Sequence, residues 1–249
     1  MRRLNVQTCS RLIDGHRDWL SSFDDHYLRK WDDRFAADPQ AAICEAEVRQ
    51  LLSDHTVRVH LNEDPACGGP DFLCTKNDTH FYVEVAAASM AAVRDSTGLD
   101  TVLSDRGCPF DLLTRKIRAA VRGKTAQLQE CEWPAILAIS TLHQEASQRH
   151  VINWSIEDSL TGSPSIVSNG DATDLRDAVF LRGTPEGIEY MARPISAILV
   201  CGFGTQPAVV AGMLHPAPVR PFERELLSNI PFCRLRDEYL AGILRVDWV

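Results

Sequence analysis

Two acids stand in unusual company. Asp71 follows Pro70 in "GGPDFLCT", and thirteen residues later Glu84 sits inside "FYVEVA". A carboxylate in an apolar run is costly unless a cation, a hydrogen-bond network or a metal meets it. On a strand, Glu84 leaves the face opposite to Val83 and Val85. Two carboxylates on adjacent strands can point at one hard cation. Mg²⁺ takes one or two carboxylates and completes an octahedron with water and substrate oxygens. Such an ion would stabilise charge on a scissile phosphodiester and lower the pKa of an attacking water. Asp71 and Glu84 are therefore candidate ligands for Mg²⁺ or Mn²⁺.

A cation is also available. From Leu112 to Gln129 the chain carries Arg115, Lys116, Arg118, Arg122 and Lys124 and no acid. The pattern predicts a helix over 110–130. At about 100° per residue, with Lys116 at zero, Leu113 falls at about 60°, Ile117 at about 100°, Leu128 at about 120° and Val121 at about 140°. That is the stripe that faces a sheet. Lys124 falls at about 80°, inside it, and Gln127 at about 20°, on its border; Arg118 and Arg122 lie on the outer face. A lysine in a buried stripe needs a carboxylate or a way out to water. Asp71 and Glu84 are the natural partners; snorkelling of the ammonium to solvent is the ordinary alternative.

The elements that must position these residues can be read around them. Residues 10–37 read as one helix, with Trp19, Phe23, Tyr27, Trp31 and Phe35 recurring every four residues. This aromatic stripe packs on the body of the chain, or else serves a homodimer or partner protein. Asp38-Pro39 ends that helix and starts another over 40–53. The second carries Glu45, with Glu47 as its alternative; either is also an ordinary solvated helix residue. Strands follow over 56–61, 71–75 and 80–87, with "ACGGP" and "KNDT" as turns. Residues 90–108 read as a loop over the site. Beyond the long helix, "PAILAIST", "DAVFL", "ISAILVCG" and "AVVAGML" read as strands and "ERELLSNI" as a short helix, while 160–174 is the loosest stretch. Near-uniformly apolar strands imply a sheet covered on both faces. The fold class is α/β: a mixed central sheet flanked by helices, in one domain over 1–249, with a helical extension over 1–38, a core over 40–141 and a strand-rich extension over 142–249.

An acid on a helix, then a strand with Pro70-Asp71, then a strand with Glu84 resembles the PD-(D/E)xK nuclease superfamily, whose restriction-endonuclease-like core runs αβββαβ. The resemblance implies metal-dependent hydrolysis of nucleic acid, DNA ahead of RNA. It adds the Val85 carbonyl as a further ligand, Glu45 as an assisting acid and Arg115 and Lys116 as substrate contacts. It also asks for a lysine at residue 86, where this chain has Ala86. Either the site is degenerate, and the protein is a binding or assembly module, or the lysine has moved. "GKTAQ" looks like the Lys-x-x-Gln arrangement by which nuclease-fold relatives supply it from a helix. Lys124 would then serve the attacking water or the pentavalent phosphorus, with Lys116 in reserve, and Gln127 would position Lys124 or touch substrate. Free-standing nucleases of this kind often act in defence against foreign DNA.

Composition bounds these readings. A net charge of −8 argues against loose binding to nucleic acid, though not against a local basic face. No apolar run is long enough to span a bilayer, and no hydrophobic stretch follows Arg2-Arg3, so no signal peptide and no membrane contact are expected. Eight cysteines form no Cys-x-x-Cys pair and imply reduced, mostly buried thiols in a cytoplasmic protein. Gly-x-Ser-x-Gly is absent, "CGFGTQ" lacks the rest of a dinucleotide fingerprint, and His215 in a His-Pro turn reads as structural.

Overall fold

The computed structural model of the chain describes residues 6–62, 68–88, 109–162, 178–236 and 244–249. The loop expected over 90–108 and most of the loose stretch over 160–174 lie outside these residues.

Three helices open the chain: α1 (Val6–Ser21), α2 (Asp25–Ala37) and α3 (Pro39–Asp54). The single helix expected over 10–37 is thus two. The break comes from Asp24, whose carboxylate accepts from the His26 N–H and caps α2. Asp38 then serves two helices at once. Its N–H donates to the Arg34 carbonyl at the end of α2, and its carboxylate accepts from the Ala41 N–H at the start of α3, with Pro39 in the first turn. The aromatic stripe turns inward. Trp31 is buried, the Trp31 and Phe35 rings stack 5.3 Å apart, and Trp19 meets Phe72 edge-on at 5.9 Å.

The strands are β1 (Arg58–Leu61), β2 (Phe72–Lys76), β3 (Thr79–Ala87), β4 (Ala135–Thr141), β5 (Leu181–Thr184), β6 (Gly187–Tyr190), β7 (Ile195–Gly202), β8 (Val209–Leu214), β9 (Phe232–Leu235) and β10 (Val246–Trp248). Eight of them form one mixed sheet in the order β1-β2-β3-β4-β7-β8-β9-β10, and β5-β6 pair separately. β2 runs antiparallel to both β1 and β3, whereas β3, β4 and β7 run parallel. β2 and β3 are joined through Asn77 and Asp78, both at positive φ, the two-residue turn that matches strand twist. β4 and β7 are buried along their whole length. That explains why Ile, Leu, Val and Ala make up most of both strands.

Helix α4 (Pro109–Lys124) and helix α5 (Arg149–Thr161) cover one face, placing Leu113, Ile117, Ile152 and Ile156 against Leu137, Ile139 and Ile198. α3 covers the other, with Val48 and Leu52 against Phe72, Phe81 and Val83. The order α3-β1-β2-β3-α4-β4 and the α/β class agree with the sequence reading.

Several boundaries differ. α4 stops at Lys124, and residues 125–130 form turns in which Thr125 Oγ1 donates to the Val121 carbonyl and the Leu128 N–H to that of Lys124. Of "DAVFL", the described residues Ala178 to Phe180 are not strand. The Val179 N–H donates to the Ser159 carbonyl and the Phe180 carbonyl accepts from Met191, so this backbone plugs the core between elements. "ERELLSNI" supplies only a 3₁₀ turn over Arg224–Leu227. α5, β6, β9 and β10 have no counterpart in the sequence reading. Arg118, expected on an outer face, pairs with Asp158 of α5 at 2.8 Å. His215 is structural as expected: the ring accepts from the Ala217 N–H at Nδ1 and donates from Nε2 to the Met191 carbonyl.

Gly202, at the end of β7, lies so close to the turn before α5 that a Cβ there would fall 2.7 Å from Ser147 Cα. Backbone cannot yield cheaply. Gly202→Ala is expected to destabilise the protein by about 1–3 kcal/mol, read as a lowered urea midpoint at unchanged m-value.

Candidate active site

β3 outruns β2. The antiparallel pairing ends at Phe72 and Val83, and the next step of the register sets Asp71 opposite Glu84. From there to Ala87, β3 continues against β4 alone. Its other edge opens into a cleft of about 200 Å³ lined by Arg34, Glu45, Asp71, Glu84, Lys124 and Gln127, among others. Asp71 uses this open edge, accepting the Val85 N–H at Oδ2 over 2.7 Å. The carbonyl of a strand residue leaves on the same edge as its N–H. Val85 therefore turns its oxygen toward the cleft it lines.

Glu84 is 3% exposed. Lys124 meets it from the last turn of α4, with Nζ 2.6 Å from Oε1. Nζ also donates to Gln127 Oε1 at 3.0 Å. Gln127 in turn donates to Glu84 Oε2 at 3.2 Å and to the Gly69 carbonyl at 2.6 Å. Gly69 has a φ of +135°, a backbone state that suits glycine, and so presents that carbonyl. The ammonium does not snorkel to solvent; it neutralises a buried acid. Gln127 arrives from the turn after α4 rather than from the helix, which leaves it free to bridge two strands' worth of partners.

Glu45 is also nearly buried, at 8% exposure, and is no solvated helix residue. Its Oε2 pairs with Arg34 of α2, and its Oε1 lies 3.7 Å from His16 Nε2 of α1. Glu47 faces elsewhere, into a separate hollow with Cys9, Ile43 and Phe203. Arg115 is exposed on α4, and neither it nor Lys116 lines the cleft. Lys116 is partly buried; burial, then the charge of Lys124, lowers its pKa. Sequence reasoning missed Arg34. The signal was its place three residues after Trp31, at the border of the aromatic stripe.

The electrostatics are lopsided. Asp71 keeps some surface as a residue, yet burial of its carboxyl, followed by the charges of Glu84 and Glu45, raises its pKa well above the ordinary 3.8. Two neighbouring acids whose charges oppose one another suit a cation. The donor set fits a hard divalent ion: Asp71, Glu84 and the Val85 carbonyl supply oxygens only. Among the described residues no three His, Cys, Asp or Glu side chains gather at ligand spacing. A closed zinc centre is therefore not what these residues build. The six described cysteines are free, and five are buried; burial pushes the Cys44 and Cys233 thiols up to about 12. No helix among the described residues is long and apolar enough to cross a membrane.

Compared with protein-family models, with curated proteins and with solved structures, the chain matches none of them.

A carboxyl with a raised folded-state pKa contributes stability that is present below 3.8 and lost as pH climbs through its folded value. At neutral pH Asp71 therefore costs stability. Asp71→Asn retains an acceptor for the Val85 N–H without that cost. It is expected to be more stable than wild type in EDTA by about 1–2 kcal/mol. The gap should widen between acid and neutral pH, as read by thermal unfolding across that range.

Proposed function

We propose that the protein is a divalent-metal-dependent nuclease that hydrolyses phosphodiester bonds in nucleic acid, with DNA ahead of RNA as substrate. The observation that carries this reading is the meeting of Lys124 with Glu84 beside Asp71. A lysine from the end of α4 meets the acid near which the PD-(D/E)xK pattern asks for one at residue 86, and this supports the reading that the lysine has moved. The order α3-β1-β2-β3-α4-β4 supports the same reading, because it agrees with the αβββαβ core of that superfamily.

Asp71 and Glu84 would hold Mg²⁺ or Mn²⁺, with the Val85 carbonyl on the same edge. The ion would supply charge for the scissile phosphate and a lowered pKa for the attacking water. Lys124 pairs with Glu84 and offers an ammonium at the mouth of the cleft, where a phosphoryl oxygen or the attacking water would sit. Gln127 fixes that ammonium by bridging it to Glu84 and the Gly69 carbonyl. Arg115 and Lys116 lie on the helix that ends at the site and would meet more distant parts of the substrate. The alternative, an eroded site serving as a binding or assembly module, draws on Ala86 alone. A role in defence against foreign DNA follows only from fold-level analogy.

The test is cleavage of plasmid DNA, single-stranded DNA and RNA with Mg²⁺, Mn²⁺ or EDTA. Cleavage that needs the ion is expected to fall by about 100-fold or more in Asp71→Asn, Glu84→Gln and Lys124→Ala. Equal cleavage by all four proteins would assign the activity to something other than this cleft.

A further inference from the structure

His16 is fully buried, yet one of its ring nitrogens has no hydrogen-bond partner among the described residues. The other is committed. Arg49 donates from Nε to His16 Nδ1 at 3.0 Å. A guanidinium has no acceptor, so Nδ1 must accept, and the neutral ring carries its proton on Nε2. That buried N–H faces Glu45 Oε1 across 3.7 Å. Burial, reinforced by the charges of Arg49 and Arg34, lowers the pKa of the ring against the opposing pull of Glu45. The ring is clamped by aromatics, with Trp19 at 5.4 Å and Trp31 at 5.1 Å. Arg49 in turn lies 5.2 Å over the Trp19 ring. On the far side of Glu45, Oε2 is held by Arg34.

An unpaired buried donor costs free energy. The fold tolerates this one directly behind the acid that forms the third carboxylate of the cleft. We propose that His16 is a positioning residue for Glu45, with Arg34 on its other oxygen, so that helices α1 and α2 support the cation site from behind without adding a ligand. The proposal rests on the metal reading given above. With Arg34 on Oε2 and the His16 N–H facing Oε1 at 3.7 Å, beyond hydrogen-bond length but close enough for charge–dipole attraction, Glu45 is biased toward the cleft and adds negative potential where an ion would sit. Released, its three side-chain torsions would let it swing toward solvent.

The test uses Mn²⁺ alone and the full chain, with affinity read by calorimetry and by the Mn²⁺ resonance spectrum, so that cleavage is not needed. His16→Asn keeps an acceptor at the place of Nδ1 for Arg49 but has nothing that reaches Glu45. His16→Gln places an amide N–H near the position of Nε2. Outer residues that orient a metal site typically change affinity by about 10–100-fold. His16→Asn is expected to weaken Mn²⁺ about 10-fold, His16→Gln to restore much of that, and Glu45→Gln to weaken it to a similar degree. The double change of His16→Asn with Glu45→Gln should be no worse than Glu45→Gln alone. Equal Mn²⁺ affinity in wild type and His16→Asn would overturn the proposal, as would equal losses in the Asn and Gln variants. Should His16→Asn fail to fold, the comparison of wild type, His16→Gln and Glu45→Gln still decides: a Glu45→Gln that binds like wild type overturns it. Asp71→Asn separates the two readings. If neither wild type nor Asp71→Asn binds Mn²⁺, the metal reading falls and this proposal falls with it. If only Asp71→Asn loses the ion, the site stands and His16 is judged on its own variants.

Discussion

The ammonium of Lys124, 2.6 Å from a carboxylate that is almost wholly buried, is the contact that lets the sheet carry an acid at all. Removing one partner of a buried ion pair leaves a charge with nowhere to go, and that typically costs about 3–5 kcal/mol. The pair therefore ties the end of α4 to the middle of β3. It explains why the helix stops where it does. A continued α-helix would carry Gln127 one turn further along the axis; the turns after Lys124 bring it back over the β2–β3 opening instead, where it reaches both Glu84 and Gly69.

The second constraint is charge. Among the described residues that line the cleft, the carboxylates Asp71, Glu84 and Glu45 stand beside the cations Lys124 and Arg34. Burial, followed by the charges of Glu84 and Glu45, raises the pKa of Asp71. In the proposed metal reading, Asp71 and Glu84 would hold a divalent ion, which would offset the negative charge gathered there. Metal binding coupled to proton release is the general behaviour of such ligands. An acidic protein of net charge −8 can in this way present a cationic site without a basic surface.

Much of the arrangement was legible in the residues. Alternation put Glu84 on the face opposite Val83 and Val85, and a helical projection placed Lys124 in a buried stripe, which demanded a counter-charge. Asn77-Asp78 announced its hairpin through turn chemistry. The sequence hid what depends on partners far along the chain. Arg34 and Glu45 look like two more charges on polar helices until α2 and α3 are folded together. Arg118 looked solvent-facing because its partner, Asp158, lies forty residues away on a helix with weak periodicity. Gln127 was projected onto a helix that had already ended, since a lysine and a threonine after Gly123 do not advertise a stop. "DAVFL" read as a strand because core-filling irregular backbone and a strand have the same apolar composition.

Asp38 closes one helix and opens the next with a single residue. There is no spacer between the element that bears Arg34 and the one that bears Glu45. An inserted or deleted residue at this junction would rotate one helix by about 100° against the other and separate the two charges. Length variation in this protein should therefore collect in other connections, and the stretch from 34 to 45 should tolerate changes of side chain far better than changes of spacing.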